Sequence, residues 1–287
     1  MTKRHYKSQS RWAAPAFIKK NLPAPLLKAL YNLSDHQQNT VDRRSNYDLV
    51  VASYNIHKCV GTDKIFDPIR IVRVIAELQA DIIALQEVDK RFGERIGLID
   101  LQFLKTETGL TPVPLRTMTP NGHGWHGNAL FLRQGRVHNI SQITLPGVEP
   151  RGAIIIELET KVGLIRVITT HFGLLRHSRN KQAKMLLTLL QKRPFMPTVL
   201  IGDLNEWRMG KNSSLNHFSP YFDITLGTAP SFPSRFPLLA LDRIFTFPPQ
   251  LITKIESHYS PLARVASDHL PIKAYLNFAG ITDHSLK

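Results

Sequence analysis

From Asp48 onward the chain alternates between short apolar runs and amphipathic stretches, with few long polar gaps between them. The apolar runs are short and rich in Val, Ile and Leu, which suits buried strands better than helices. They predict strands at Asp48–Ile56, Asp81–Gln86, Gly127–Arg133, Val137–Ile143, Ala153–Leu158, Leu164–Thr170 and Thr198–Ile201. Shorter strands are predicted near Arg243–Phe247, Thr253–His258 and Ile272–Asn277. Helical periodicity appears between them. Asp67 can cap a helix from Pro68 to about Leu78, with Ile69, Val72, Ile75 and Ala76 on one face. A second helix is predicted around Ile99–Thr108, stopped by Gly109, and a third over Ser178–Leu190. Strands outnumber helices and mostly follow one another directly, which predicts an α/β (α+β) fold of packed, mixed or antiparallel sheets. A doubly wound fold would need more regular alternation.

Residues 1–47 break this pattern. They are dense in Lys and Arg and carry helix-breaking prolines, and only Pro25–Leu33 reads as a short helix, with leucines on one side. The expected organisation is a basic N-terminal extension (1–47), one catalytic domain (48–280) and a short tail (281–287). A chain of 287 residues with 43% hydrophobic content is large enough to bury one sizeable core. Lys+Arg total 37 against 22 Asp+Glu, a net +15, which favours polyanionic partners such as nucleic acid or an anionic phospholipid surface. The extension reads as a flexible basic tail or a helix packed on its own domain, with a peripheral membrane contact as the other reading. The single cysteine, Cys59, allows no intramolecular disulfide and fits a reducing compartment. No run approaches the ~18 apolar residues of a membrane span, and no apolar stretch suited to a cleaved signal follows the charged N-terminus. The expected location is the cytoplasm, in whole or at the inner face of a membrane.

The chemistry sits at the ends of the apolar runs: SYNIHK with Asn55, LQEVD with Glu87, TTHFGL with His171, GDLNEW with Asp203 and Asn205, LDRIF with Asp242, and ASDHLP with Asp268 and His269. Strand ends are where side chains of a buried sheet converge on one cleft. Asn55, Glu87 and Asp268 offer carboxylate and amide oxygens, a donor set that suits Mg²⁺, with Mn²⁺ also compatible, rather than zinc. Asp242 can bond His269 and raise its pKa, so that a protonated imidazole donates to a phosphoryl oxygen. His171 offers a second imidazole, to protonate a leaving group or bind phosphate. Alternation in GDLN would place Asp203, a candidate to orient and deprotonate water, and Asn205, a candidate phosphate ligand, on one face of an extended segment. A plain β-turn is the competing reading of that tetrapeptide.

In the order and content of these motifs the chain resembles the endonuclease/exonuclease/phosphatase (DNase I-like) superfamily. The resemblance covers roughly Asp48 to the strand after Pro271 and implies a four-layered α/β sandwich with the site at one edge. It implies Asn55, Glu87 and Asp268 as metal ligands, and Asp203 with Asn205 as the water-orienting and phosphate-binding pair. It also implies an Asp242–His269 dyad, His171 as a further catalytic histidine, and Asn128 of GNALF as a polar group near the cleft. LQEVD lacks the lysine usual in apurinic endonucleases, and LLALDRIF keeps only the Asp-Arg of the inositol 5-phosphatase signature. The motifs look closer to the sphingomyelinase-like and uncharacterised bacterial branches.

Basic groups beside the motifs are candidate substrate contacts: Arg151 before Ala153–Leu158, and Arg176, Arg179, Lys181 and Lys184 after His171. The reading is a metal-dependent phosphodiesterase acting on nucleic acid or a phospholipid headgroup. Two others stay open: a phosphomonoesterase for a phosphorylated small molecule or inositol-type lipid, and a non-catalytic binding module that keeps the fold.

Overall fold

The computed structural model describes residues 47–279 apart from 91, 92 and 209. The expectations for the Pro25–Leu33 helix, for membrane contact through residues 1–47 and for the 281–287 tail lie outside the described residues. Two mixed sheets form the body. The first has strand order β10-β11-β1-β2-β4-β3, from β1 (Leu49–Asn55), β2 (Ile82–Gln86), β3 (Thr111–Pro112), β4 (Asn128–Leu132), β10 (Ile252–Ser257) and β11 (Ile272–Leu276). The second runs β5-β6-β7-β8-β9, from β5 (Arg136–Leu145), β6 (Arg151–Thr160), β7 (Gly163–His171), β8 (Thr198–Asp203) and β9 (Asp242–Phe247). Among the described residues, only β1/β2 and β7/β8 pair in parallel.

The sheets pack face to face through central strands that are apolar on both sides. In β1, Leu49 and Val51 join Ile82, Ala84 and Leu130 against Ile154, Ile156, Val167, Val199, Ile201 and Ile244 of the other sheet. The alternate residues Val50, Ala52 and Tyr54 face outward, under helix α1 (Pro68–Leu78). Helix α3 (Arg176–Gln191) covers the far side of the second sheet, with Ala183, Leu186 and Leu190 on Ile155, Ile168, Leu200 and Phe245. Helix, sheet, sheet, helix is the four-layered sandwich expected. Full burial of both strand faces produces the continuous apolar runs, rather than simple alternation, in the sequence.

Asp67 Oδ1 accepts from Arg70 N at 2.9 Å and caps α1, and Asp100 caps α2 (Leu101–Thr108) in the same way. The apolar face of α1 differs from the expected one. Ile71, Val72, Val74, Ile75 and Leu78 are buried, whereas Ile69 is exposed. The outward side of β1 is apolar along its whole length, so α1 buries a broad stripe that reaches Val74 and Leu78.

Candidate active site

The topology gathers the motifs at one edge. The parallel pairs end together: β1 and β2 finish at Asn55 and Gln86, immediately before Glu87, and β7 and β8 finish at His171 and Asp203. The antiparallel neighbours start at the same edge. Asp242 of β9 lies opposite Asp203, Asn128 of β4 lies opposite Gln86, and β6 begins with Arg151 beside the end of β7. The loop before β11 adds Asp268 and His269.

Asp203 is the hub. Its Oδ2 accepts from Asn55 Nδ2 at 3.0 Å, a bond that ties the first sheet to the second. The same oxygen lies 3.3 Å from His171 Nε2 and 3.8 Å from His269 Nε2. All four of these side chains are buried. Gly202 allows this approach, since a Cβ there would stand 1.9 Å from the Thr170 carbonyl.

Arg151 Nη1 lies 3.0 Å from His171 Nδ1. A guanidinium can only donate, so His171 accepts at Nδ1 and carries its proton on Nε2, toward Asp203. Arg151 therefore orients the imidazole from behind. His269 is different. Its Nδ1 stands 2.7 Å from Asp242 Oδ2, which also accepts from Ser231 Oγ at 2.6 Å. Burial pulls the imidazolium pKa down, but Asp242 and Asp203 together outweigh it and push His269 up to about 10. His269 therefore carries a proton at neutral pH and is a hydrogen-bond donor, with Phe232 packed on its ring at 5.0 Å.

Asp203 and Asn205 do not share a face of an extended strand. β8 stops at Asp203, and Asn205 sits at φ 51°, in the left-handed region. Its N–H returns to Asp203 Oδ1 at 2.9 Å and its Nδ2 donates to the Phe172 carbonyl at 3.0 Å. The turn reading was locally correct; asparagine tolerates this conformation where most residues would not. The turn still brings the Asn205 amide beside the β7 end.

The three predicted metal ligands lie on the other flank. The Asn55 Oδ1 accepts the His57 N–H at 3.0 Å, and Asp268 Oδ1 is 3.8 Å from His57 Nδ1. Glu87 pairs with the Lys58 ammonium. Burial opposes the Glu87 charge, yet Lys58, with His57 and Arg151 nearby, holds its pKa below the ordinary carboxylate value. The backbone is strained here, with His57, Lys58, Cys59 and Glu87 at φ 45°, 54°, 59° and 61°. These oxygen donors fit a hard divalent cation, and Glu87 already attracts a cationic group from its own chain. Asp203, Asp242 and His269 also lie close enough to share an ion. Their atoms are instead joined as a hydrogen-bonded dyad and hub, and a protonated His269 has no lone pair for a metal.

The remaining predicted residues have other settings. Asn128 is buried and its Nδ2 donates to the Trp125 and Gly152 carbonyls, each at 3.2 Å, so its amide hydrogens bind loop backbone. Arg176 is exposed at the rim, with Nε on the Asn212 carbonyl at 2.9 Å. Cys59 is fully buried; burial above all, with Asp67, pushes its thiol up to about 12, so it is no nucleophile.

Sequence reasoning missed Glu206 and misplaced Arg179. Arg179 reads in the sequence as a candidate substrate contact, but it is buried, 3.4 Å from Glu206 Oε2, and also binds the Gly173 and Leu174 carbonyls. Glu206 further accepts from Ser214 Oγ at 2.6 Å and from Arg208 N at 3.0 Å. The available signal was Glu206 itself, an acid directly after GDLN. Arg243, also passed over, is buried between Asp242 and the Glu206 carbonyl, and burial lowers its pKa against the pull of Asp242, Asp203 and Glu206.

Residues 52–269 match the model of the Endonuclease/Exonuclease/phosphatase family, and the chain belongs to that family. The uncharacterised protein YbhP of Escherichia coli K12 is 28% identical over 266 residues, covering 82% of this chain and 99% of YbhP. Among solved structures, an endonuclease/exonuclease/phosphatase from Beutenbergia cavernae aligns with TM-score 0.58 at 21% identity, over 84% of this chain and 76% of that one. A mannosyl-6-phosphatase from Bacteroides thetaiotaomicron aligns with TM-score 0.63 at 18% identity, over 80% of this chain and 100% of that one. At those identities the likeness is one of fold.

Proposed function

We propose that the chain hydrolyses a phosphodiester by direct attack of water, with Mg²⁺ as the natural cation and Mn²⁺ as a substitute. The observation that carries the reading is the placement of Asp203. One buried carboxylate, held by an amide from the opposite sheet, faces a neutral and a protonated imidazole at a single sheet edge. When bound, a divalent cation held by Asn55, Glu87 and Asp268 supplies positive charge to the phosphate.

The chain's own groups account for the rest. Asp203 orients the attacking water and accepts its proton as the new P–O bond forms. The protonated His269, fixed by Asp242, donates to the phosphoryl oxygen that gains charge. His171, backed by Arg151, keeps Asp203 in place, and Asn205 offers amide hydrogen to the phosphate. The opposite ester P–O bond breaks, and the leaving oxygen takes its proton from solvent.

Parallel assays of bis-p-nitrophenyl phosphate and p-nitrophenyl phosphate in Mg²⁺ test the bond type. The expected result is faster turnover of the diester. Preference for the monoester would reassign the chain as a phosphomonoesterase, and turnover of neither, nor of nucleic acid or phospholipid, would leave the binding module.

A further inference from the structure

The rim next to His171 and Asn205 exposes apolar side chains that the reaction does not use. Val148 is 78% exposed, Leu174 63%, Leu175 53% and Trp207 54%. They come from three loops at the site's edge: the one entering β6, the one leaving β7 and the one leaving β8. Leu174 follows His171 by three positions, and Trp207 follows Asn205 by two.

These side chains are held out by a rigid frame. The buried Arg179 binds the Gly173 and Leu174 carbonyls on one side and Glu206 on the other, and Glu206 in turn receives the Arg208 N–H. Glu149 Oε1 accepts from Leu174 N at 3.0 Å, which fastens the Val148 loop to the same frame. Arg176 secures the Asn212 carbonyl across the rim. Of these two acids, Glu206 is held by several bonds within the frame, and Glu149 gives it Oε1 while its Oε2 is buried without a hydrogen-bond partner. Basic groups are left at the surface: Arg176 and Lys211 are exposed, and the Arg208 guanidinium lies 4.8 Å from the Trp207 ring centre.

An apolar crest of aliphatic residues and one tryptophan, flanked by cations, is the composition that enters the headgroup layer of a membrane. A single-stranded nucleic acid would instead need several aromatic faces for base stacking, and leucine and valine offer none. We propose that this rim docks on an anionic phospholipid bilayer, with Val148, Leu174, Leu175 and Trp207 entering the headgroup layer and the basic residues meeting lipid phosphates. The proposal rests on the phosphodiesterase reading only for the bond that is cut; it would place that bond in a headgroup presented by the same bilayer.

The test uses the full chain and sonicated vesicles of equal parts phosphatidylglycerol and phosphatidylcholine, with no turnover required. Trp12 lies in the basic extension, so the readout is made in W12F: vesicles with brominated acyl chains should quench its tryptophan emission, and W12F/W207F should lose that quenching. L174E/L175E should bind these vesicles roughly tenfold or more weakly, while bis-p-nitrophenyl phosphate turnover stays unchanged. Equal quenching in W12F and W12F/W207F, or equal vesicle binding by L174E/L175E and the wild type, would overturn the proposal. Loss of single-stranded DNA binding in L174E/L175E with vesicle binding intact would overturn it in favour of a nucleic-acid surface. Absence of diester turnover would sink the phosphodiesterase reading alone, because the vesicle results stand without it.

Discussion

His269→Ala should lower kcat for a diester by about 10³-fold, the loss expected for one preorganised donor to a developing oxyanion. The imidazole is held at 2.7 Å by a buried carboxylate and keeps its proton at neutral pH, so it reaches the phosphate already charged. Alanine removes both the donor and its positive charge, and leaves Asp242 with only Ser231 as a donor to Oδ2. His171→Ala should cost less, because the neutral His171 supports Asp203 from one side while Asn55 still holds it from the other. Steady-state rates of the two variants, with circular dichroism as a check on folding, measure the difference. Equal or reversed losses would mean that the two histidines have exchanged roles.

Glu87→Gln should reduce the rate by about 30-fold or more, a barrier increase of ~2 kcal/mol, even at saturating Mg²⁺. The substitution keeps shape and removes one negative charge. In the unmodified chain that charge is balanced by Lys58, which is itself partly exposed and can return to water. The fold should therefore survive, and calorimetric titration with Mn²⁺ should show weakened binding alongside the lost rate. A variant that keeps most of its activity and its Mn²⁺ affinity would remove Glu87 from the cation site.

The legible part of the molecule was the part written in contiguous residues. Strands buried on both faces leave unbroken apolar runs, and Asp67 and Asp100 announce their helices as local caps. The ends of those runs carried Asn55, Glu87, His171 and Asp203, and two parallel strand pairs bring them to one edge. What stayed hidden depended on contacts distant in sequence or on backbone outside the common regions. The Arg179–Glu206 pair joins a helix to a distant loop, so Arg179 reads as a substrate contact until its acid is located. The left-handed Asn205 defeated a strand-alternation argument, and the left-handed run His57–Cys59 is what turns Lys58 toward Glu87. Charge count alone gave no hint that Arg151 would serve an imidazole.

The central claim is that a divalent cation and the Asp203 hub act together on a phosphodiester. It is tested most directly by the initial rate of bis-p-nitrophenyl phosphate hydrolysis, measured on full-length chain stripped with EDTA and again after Mg²⁺ is returned, beside Asp203→Asn treated identically. The account predicts negligible turnover by the stripped wild type, recovery when Mg²⁺ is restored, and no recovery in Asp203→Asn. Turnover by the stripped protein equal to that in Mg²⁺, or full recovery in Asp203→Asn, would contradict it.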